Sequence, residues 1–272
     1  MMTVGIIPAR MGSSRFPGKP LVPIAGIPMI GHVYHRSCMA RALDAVYVAT
    51  CDEEIAEYSK TLGAEVVLTS ASHERATDRA AEALEIIEQR EGKRCAIVVM
   101  IQGDEPLLDP AMVDRVASAL DDHPTAAVAN LMAPIETPAE QDDPNEVKVV
   151  VDRSGYALYF SREPIPSRTR LSAPVQAHRQ LGLIAFRRES ILRYAELEMT
   201  DLERAESCDM LRFVEHGRRV LMVPIPACPP AVDVPGDVQT VEQLMATDPL
   251  RTRYHQSPGP EWTVGPRLNR AR

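Results

Sequence analysis

The sequence predicts an α/β fold in which a mostly parallel sheet, covered on both faces, carries an antiparallel insert at about residues 126–175. Three observations carry this expectation. Short apolar runs alternate with helically spaced segments through the first 120 residues. Those runs are nearly continuously apolar, as strands buried on both faces are. Beyond residue 126, strand-like runs follow one another without long helices between them.

Residues 4–8 form the first run and lead through a Gly-, Ser- and Arg-rich loop into helical spacing at 29–38. The unit recurs as strand 45–49 with helix 53–62, strand 65–69 with helix 78–91, and strand 96–102 with helix 110–120. In such sheets ligands sit at the carboxyl ends of the strands, so loops 8–20, 50–53, 70–79 and 102–106 should converge. Strands are then expected at 126–132, 147–152 and 156–160, followed by a Pro- and Arg-rich loop at 161–173. Helices are expected at 189–198 and 202–216, a strand at 220–225 and a last helix at 236–246. Residues 1–247 read as one domain. The Pro-rich segment 248–272 reads as a mobile extension, with a cover over a site or a partner subunit as its alternative.

The 272 residues include 30 basic and 38 acidic side chains, a formal charge of −8. That balance argues against nucleic acid or an anionic membrane surface as the main partner, so any phosphate site must be local. Five cysteines, an odd number without a C-x-x-C pair, fit a reducing cytoplasm. The N-terminus lacks the pattern of an export signal, and the apolar runs fall short of the ~20 residues of a spanning helix.

The loop PARMGSSRFPGKP (8–20) is the strongest local signal. Backbone amides of a small-residue loop entering a helix cradle phosphate oxygens, and Arg10, Arg15 and Lys19 add positive charge. Lys19 is one of four lysines in the chain, which makes it a pointed choice. The spacing differs from a P-loop: five residues separate Gly12 from Gly18, and Pro20 stands where a Mg²⁺-binding hydroxyl would be. QGDEP (102–106) follows an apolar strand, so Asp104 is placed either to hold Mg²⁺ beside a phosphate or simply to cap a turn. Tyr156, Tyr159 and Phe160 offer a stacking site, a core or a subunit contact, and the pair His32/His35 reads as surface or core.

Taken in order, IIPARMGSSRFPGKPL, IQGDEPLL, NEVKVVVD, GYALYFSREPIP, RQLGLIAFR and AVDVPGDV resemble the 3-deoxy-manno-octulosonate (KDO) cytidylyltransferases over residues 4–244. The resemblance implies a Rossmann-like nucleotidyltransferase fold whose antiparallel insert serves dimerisation. It also implies a reaction in which CTP is joined to a small acidic acceptor, with Mg²⁺ as cofactor. It makes Arg10, Lys19 and Asp104 the catalytic residues, and Ala9, Arg10, Ser13, Lys19, Arg79 and Gln102 the nucleotide-binding set. It puts Arg15, Gln102, Arg162, Gln180, Ile184, Glu206 and Met210 on the acceptor side. Asp104 and Asp233 would hold the metal, with a helix N-terminal role as the alternative for Asp233. The base that takes the acceptor proton stays open between Asp233 and a water.

The chain also departs from the pattern. Where the family reads R-H-L-G-I-Y-G-Y-R, this chain has Gln180 for His and Ile184 and Phe186 for the tyrosines. Met210 replaces a Gln, and, close to where the resemblance puts the base and so bearing on the preference for CTP, Ala76 replaces the Gly of S-G-T-E-R. The phosphate side is thus kept while polar groups on the sugar-acid side are lost. A different anionic acceptor, such as a phosphonate or another ulosonic acid, is therefore an alternative, as is a nucleotide-binding regulator without turnover.

Overall fold

A computed structural model describes residues 1–12, 15–169 and 175–254. The strand β1 (Met2–Ala9) runs parallel to β4 (Ala45–Thr50) on one side and to β6 (Cys95–Ile101) on the other. Two short strands, β2 (Pro23–Ile24) and β3 (Ile27–Pro28), form a small ribbon before α1 (Met29–Ser37). After α1, β4 and α2 (Glu53–Thr61), the chain reaches the edge strand β5 (Glu65–Leu68). It returns through α3 (Ala76–Glu91) to β6, across the sheet. That reversal of direction creates a crevice at the carboxyl ends of β1, β4 and β6, where open α/β sheets bind ligands.

Alternate residues of these strands feed two cores, one on each face. Val4, Ile6, Val98 and Met100 face one layer, and Ile7, Ile97, Val99 and Ile101 the other. Burying each such side chain contributes about 1.5–3 kcal/mol, which is why the strands read as unbroken apolar runs. Helix α4 (Pro110–Asp122) starts where the sequence marks it: the Asp109 carboxylate accepts the Ala111 N–H at 2.9 Å, with Pro110 in the first turn.

The main sheet continues where the sequence assigned no element. Residues His178–Arg187 form a ten-residue strand lying between β6 and β7 (Val128–Pro134), antiparallel to both. Its mixed pattern of Arg, Gln and Gly hid it, because its first residues face the crevice rather than a core. With the short helix α5 (Pro138–Asp142), β8 (Lys148–Val151) and β9 (Ala157–Ser161) preceding it, this strand is β10. The sheet order is β11-β7-β10-β6-β1-β4-β5, where β11 (Leu221–Pro224) runs parallel to β7. The strand expected at 126–132 is thus part of the central sheet. The β8–β9 hairpin alone leaves the path, attached to the start of β10.

Two further expectations are corrected. The helix expected at 202–216 is broken at Ser207, whose φ of 48° lies in the left-handed region, giving α7 (Asp201–Glu206) and α8 (Met210–Glu215) after α6 (Arg188–Glu196). Residues 248–254, read as part of a mobile extension, instead pack on α1 after α9 (Asp237–Met245). There Arg36 is 1% exposed, pairs with Asp248 and donates to the Leu108 carbonyl at 3.1 Å. The Tyr254 hydroxyl lies 2.9 Å from His32 Nδ1, and the Tyr254 ring stacks on His35. A buried guanidinium needs its counter-charge, so this strap belongs to the domain. The remaining residues, 255–272, lie outside the described residues.

Burial pulls the pKa of His32 down to about 4 from 6.5. The unfolded chain therefore binds more protons than the folded one between these values, and stability is lost as pH falls through that window. Urea unfolding at pH 7 and pH 4.5 should show wild type losing about 2 kcal/mol more than His32→Gln. Equal losses would remove His32 as the cause.

Candidate active site

Gly18, at φ 75°, turns the loop after β1 into a 3₁₀ turn that begins at Lys19, and its N–H donates to the Met11 carbonyl at 3.0 Å. A glycine suits this left-handed position because it carries no Cβ. The loop is anchored to the end of β4 by the Met11 N–H, 2.8 Å from Asp52 Oδ2. Loop 50–53 thus braces the site from behind, while the other three loops expected to converge line a cleft of about 570 Å³. Ala9, Arg10, Arg15, Lys19, Arg79, Gln102 and Asp104 all line it. Ser13 lies outside the described residues.

Lys19 is the hub. Its Nζ lies 2.8 Å from Asp104 Oδ2, 2.9 Å from the Val232 carbonyl and 3.8 Å from Asp233 Oδ1. A backbone bond from Val232 N–H to the Asp104 carbonyl at 2.9 Å stitches the same two segments. Arg15 adds a second tie, pairing with Asp233 at 2.9 Å and donating to Asn145 Oδ1 at 2.6 Å. The backbone N–H of Asp233 is held in turn by the Asp237 carboxylate at 2.8 Å. Arg10 is exposed and free of partners among the described residues. Arg79, 2% exposed, donates to Thr69 Oγ1 at 2.5 Å and to the carbonyls of Ser70 and His73, so it shapes the 69–73 loop as well as lining the cleft.

A second cleft of about 330 Å³ adjoins the first and shares with it Arg15, Arg75, Gln102, Asp104 and Arg162. Its inner wall is the start of β10. Between Gln180 and Ile184 the strand bulges away from β7. Buried Asn130 fills the gap, donating to the carbonyls of Leu181 at 2.8 Å and Leu183 at 2.9 Å, while its own oxygen accepts from Gln180 Nε2 at 2.7 Å. The bulge turns the Gly182 N–H toward Glu105 Oε1 at 3.0 Å, and the Gly182 carbonyl accepts from Gln102 N–H at 3.1 Å. Burial, helped by the charge of Asp104, pushes the Glu105 carboxyl up to about 7. Asn130 was legible as the one polar residue in an apolar strand. Glu105 and Arg75 carried no comparable mark, whereas Arg179, which the sequence offered with Arg162, Arg168 and Arg170 as a clamp for an anionic acceptor, does line the second cleft.

The residues expected on the acceptor side divide by what they touch. Glu206 is occupied: its carboxylate accepts from Tyr159 and Ser161 hydroxyls and, at 2.7 Å, from Arg162 N–H. Arg162 gives its guanidinium to the carbonyls of Glu206, Pro144, Asn145 and Ser207. The Gln180 amide is taken at both ends, by Asn130 and by the Cys208 thiol at 3.2 Å. Ile184 is an apolar patch of wall, and Met210 is fully buried in a core and lines neither cleft. Phe160 is a core residue and Tyr156 lies under Arg219, so the aromatic cluster divides between packing and surface.

A model of the cytidylyltransferase family matches residues 4–220. The chain belongs to this family. It is 42% identical over 246 residues to a mitochondrial 3-deoxy-manno-octulosonate cytidylyltransferase of Arabidopsis thaliana, an alignment covering 89% of this chain and 82% of that protein. It is also 42% identical over 245 residues to an 8-amino-3,8-dideoxy-manno-octulosonate cytidylyltransferase of Shewanella woodyi, covering 89% and 98%. A solved CMP:2-keto-3-deoxy-manno-octonic acid synthetase complexed with CTP superposes with a TM-score of 0.81 at 36% identity, over 90% of this chain and 99% of that one. The cytidylyltransferase and the α/β nucleotidyltransferase fold read from the motifs are both borne out.

The Gly182 contact gives this site a sharp test. A Cβ there would lie 2.8 Å from both Gln102 Cγ and Glu105 Oε1. Gly182→Ala should therefore fold but lower kcat/KM by about tenfold or more, through displacement of Gln102 and Glu105. Wild-type kinetics in that variant would mean the bulge does not position the site.

Proposed function

We propose that the chain transfers CMP from CTP to the hydroxyl of a small sugar acid, 3-deoxy-manno-octulosonate or its 8-amino analogue, releasing pyrophosphate with Mg²⁺ as cofactor. The observation that carries this reading is Lys19, set between Asp104 and Asp233 at the end of a phosphate-type loop. The names of the relatives support the acceptor class, and the solved CTP complex supports the nucleotide.

In this reading the acceptor hydroxyl passes its proton to Asp233 or a water as its oxygen attacks the α-phosphorus in line, the bond from that phosphorus to the bridging oxygen breaks, and pyrophosphate leaves. Arg10, Lys19 and the backbone of the loop at Ala9 hold and neutralise the triphosphate, and Gln102 lies between nucleotide and acceptor. The carboxylates suit the metal: two oxygen donors converge on one cationic group, and Mg²⁺ characteristically takes one or two carboxylates and fills its shell from phosphate and water. Among the described residues no three His, Cys, Asp or Glu side chains gather into a metal site of their own, so nucleotide oxygens would complete this one. When bound, the ion supplies charge neutralisation along the transferring phosphate. The protein's share is position and electrostatics, and it needs no covalent intermediate.

The β8–β9 hairpin, with Leu158 59% exposed, is the surface we assign to a homodimer contact. All five cysteines are free thiols and no described helix is long and apolar enough to cross a membrane; we place the enzyme in the cytoplasm.

A second reading keeps the chemistry and changes the acceptor. It is favoured by the occupied Gln180 amide, the apolar Ile184 and the buried Met210, which remove hydrogen-bond partners that a polyhydroxy acid uses. CTP-dependent pyrophosphate release across KDO, its 8-amino analogue, other ulosonic acids and phosphonates separates the readings. A kcat/KM above about 10⁴ M⁻¹s⁻¹ for KDO, ordinary for an enzyme on its own substrate, would end the second reading. A panel without turnover would end both.

Lys19→Ala and Arg10→Ala should each lower kcat/KM for CTP by about 10² or more, the scale of losing a charge-assisted contact to a transferring group. Asp104→Asn and Asp233→Asn should shift the Mg²⁺ titration to higher concentration while leaving the circular dichroism spectrum unchanged. Unaltered CTP kinetics and Mg²⁺ titrations in these variants would remove the residues from the site.

A further inference from the structure

We propose that Arg75 binds the carboxylate of the acceptor and sets acceptor specificity in this chain. The proposal rests on the acceptor reading above. An ulosonic acid carries its carboxylate on the carbon that bears the reacting hydroxyl. That carboxylate must therefore lie where the nucleotide and acceptor clefts meet.

Among the described residues, three arginines line both clefts: Arg15, Arg75 and Arg162. They differ in what they have left to give. Arg162 spends Nε, Nη1 and Nη2 on four backbone carbonyls. Arg15, with 45% of its side chain exposed, places one terminal nitrogen on Asn145 and the other on Asp233. Arg75 precedes α3 in extended conformation and reaches the turn between α7 and α8. There Nη1 donates to Ser207 Oγ at 3.0 Å and Nη2 to the Glu203 carbonyl at 3.4 Å. A guanidinium has five N–H donors, so most of this fork is unspent, and its buried Nε has no hydrogen-bond partner.

The nearby carboxylates do not use up that capacity. Glu203 and Asp209 stand 3.5 and 3.8 Å from Nε, too far for good hydrogen bonds. Both are engaged elsewhere. Glu203 takes Arg212 through two bonds of 2.7 and 2.8 Å and the Tyr194 hydroxyl at 3.2 Å. Asp209 accepts the Thr77 hydroxyl at 2.8 Å and its N–H at 3.3 Å. These acids hold the guanidinium in place by charge without saturating its donors. A side chain that is 17% exposed and fixed from behind is preorganised for a planar anion. The S-G-T-E-R motif that this loop resembles has serine at the same place, which offers no charge, so the cation is a feature of this chain. It would compensate for the polar partners missing at Gln180, Ile184 and Met210.

The test compares a sugar acid with its primary carboxamide, which keeps the shape but removes the charge and turns one acceptor oxygen into an N–H donor. With wild type, Arg75→Ser and Arg75→Lys, kcat and KM are measured for both acceptors and for CTP. In Arg75→Ser, KM for the acid should rise about 30-fold, within the range of a hydrogen-bonded charge, while KM for CTP stays within about twofold. The preference for acid over carboxamide should fall about tenfold or more and recover in part in Arg75→Lys. Equal losses for acid and amide, or a parallel rise in KM for CTP, would mean that Arg75 only braces the loop and would overturn the proposal. So would unchanged kinetics. A wild-type enzyme that turns over no sugar acid would instead overturn the acceptor reading itself.

Discussion

The site depends on one ammonium group. Lys19 Nζ joins the loop after β1, the turn after β6 and the segment before α9, which lie 85 and 213 residues apart from it in sequence. Each contact is short, and Lys19 is only 12% exposed, so the attraction is screened far less than in a surface ion pair. Two carboxylates brought this close to each other would repel without a cation between them. The lysine therefore makes the acidic pair tolerable, and in the proposed function that pair would take a cation accompanied by phosphate oxygens. Charge balance of this kind, rather than net charge, is how a chain with a formal charge of −8 would keep the proposed anion site.

The second constraint is the bulge in β10. On this bulged backbone a side chain at position 182 would run into Gln102 and Glu105; the glycine, with Asn130 filling the gap behind it, leaves that place to the main chain. Glu105 is thereby buried with a backbone N–H as its partner. The two clefts thus share a floor set by main-chain geometry, which tolerates less drift than side chains on a loop.

Much of this was legible in the sequence because physical chemistry left marks there. Continuous apolar runs gave the parallel strands β1, β4 and β6, and the small-residue loop carrying Gly18 and Lys19 marked a wall of the first cleft. The motif order carried the family. What escaped had balanced or mixed patterns. Strand β10 puts Arg179, Gln180 and Gly182 against the second cleft, so its first half shows no core periodicity. The break at Ser207 left no sign because both flanking segments keep helical spacing. Residues 248–254 read as loose because their anchors, Asp248 and Tyr254, act through partners on α1 more than 200 positions away. Arg75 escaped for the same reason: its role depends on which donors its distant neighbours leave unspent.

Lys19 and Arg15, set against Asp104 and Asp233, thus form one charge-balanced unit that we propose receives the nucleotide. A crystal structure of the chain with CTP and Mg²⁺ tests it most directly. The account predicts triphosphate density against loop 8–20, the Lys19 ammonium moved from Asp104 to phosphate oxygen, and the metal on Asp104 and Asp233. Nucleotide bound elsewhere, with the bond from Lys19 to Asp104 intact, would contradict it.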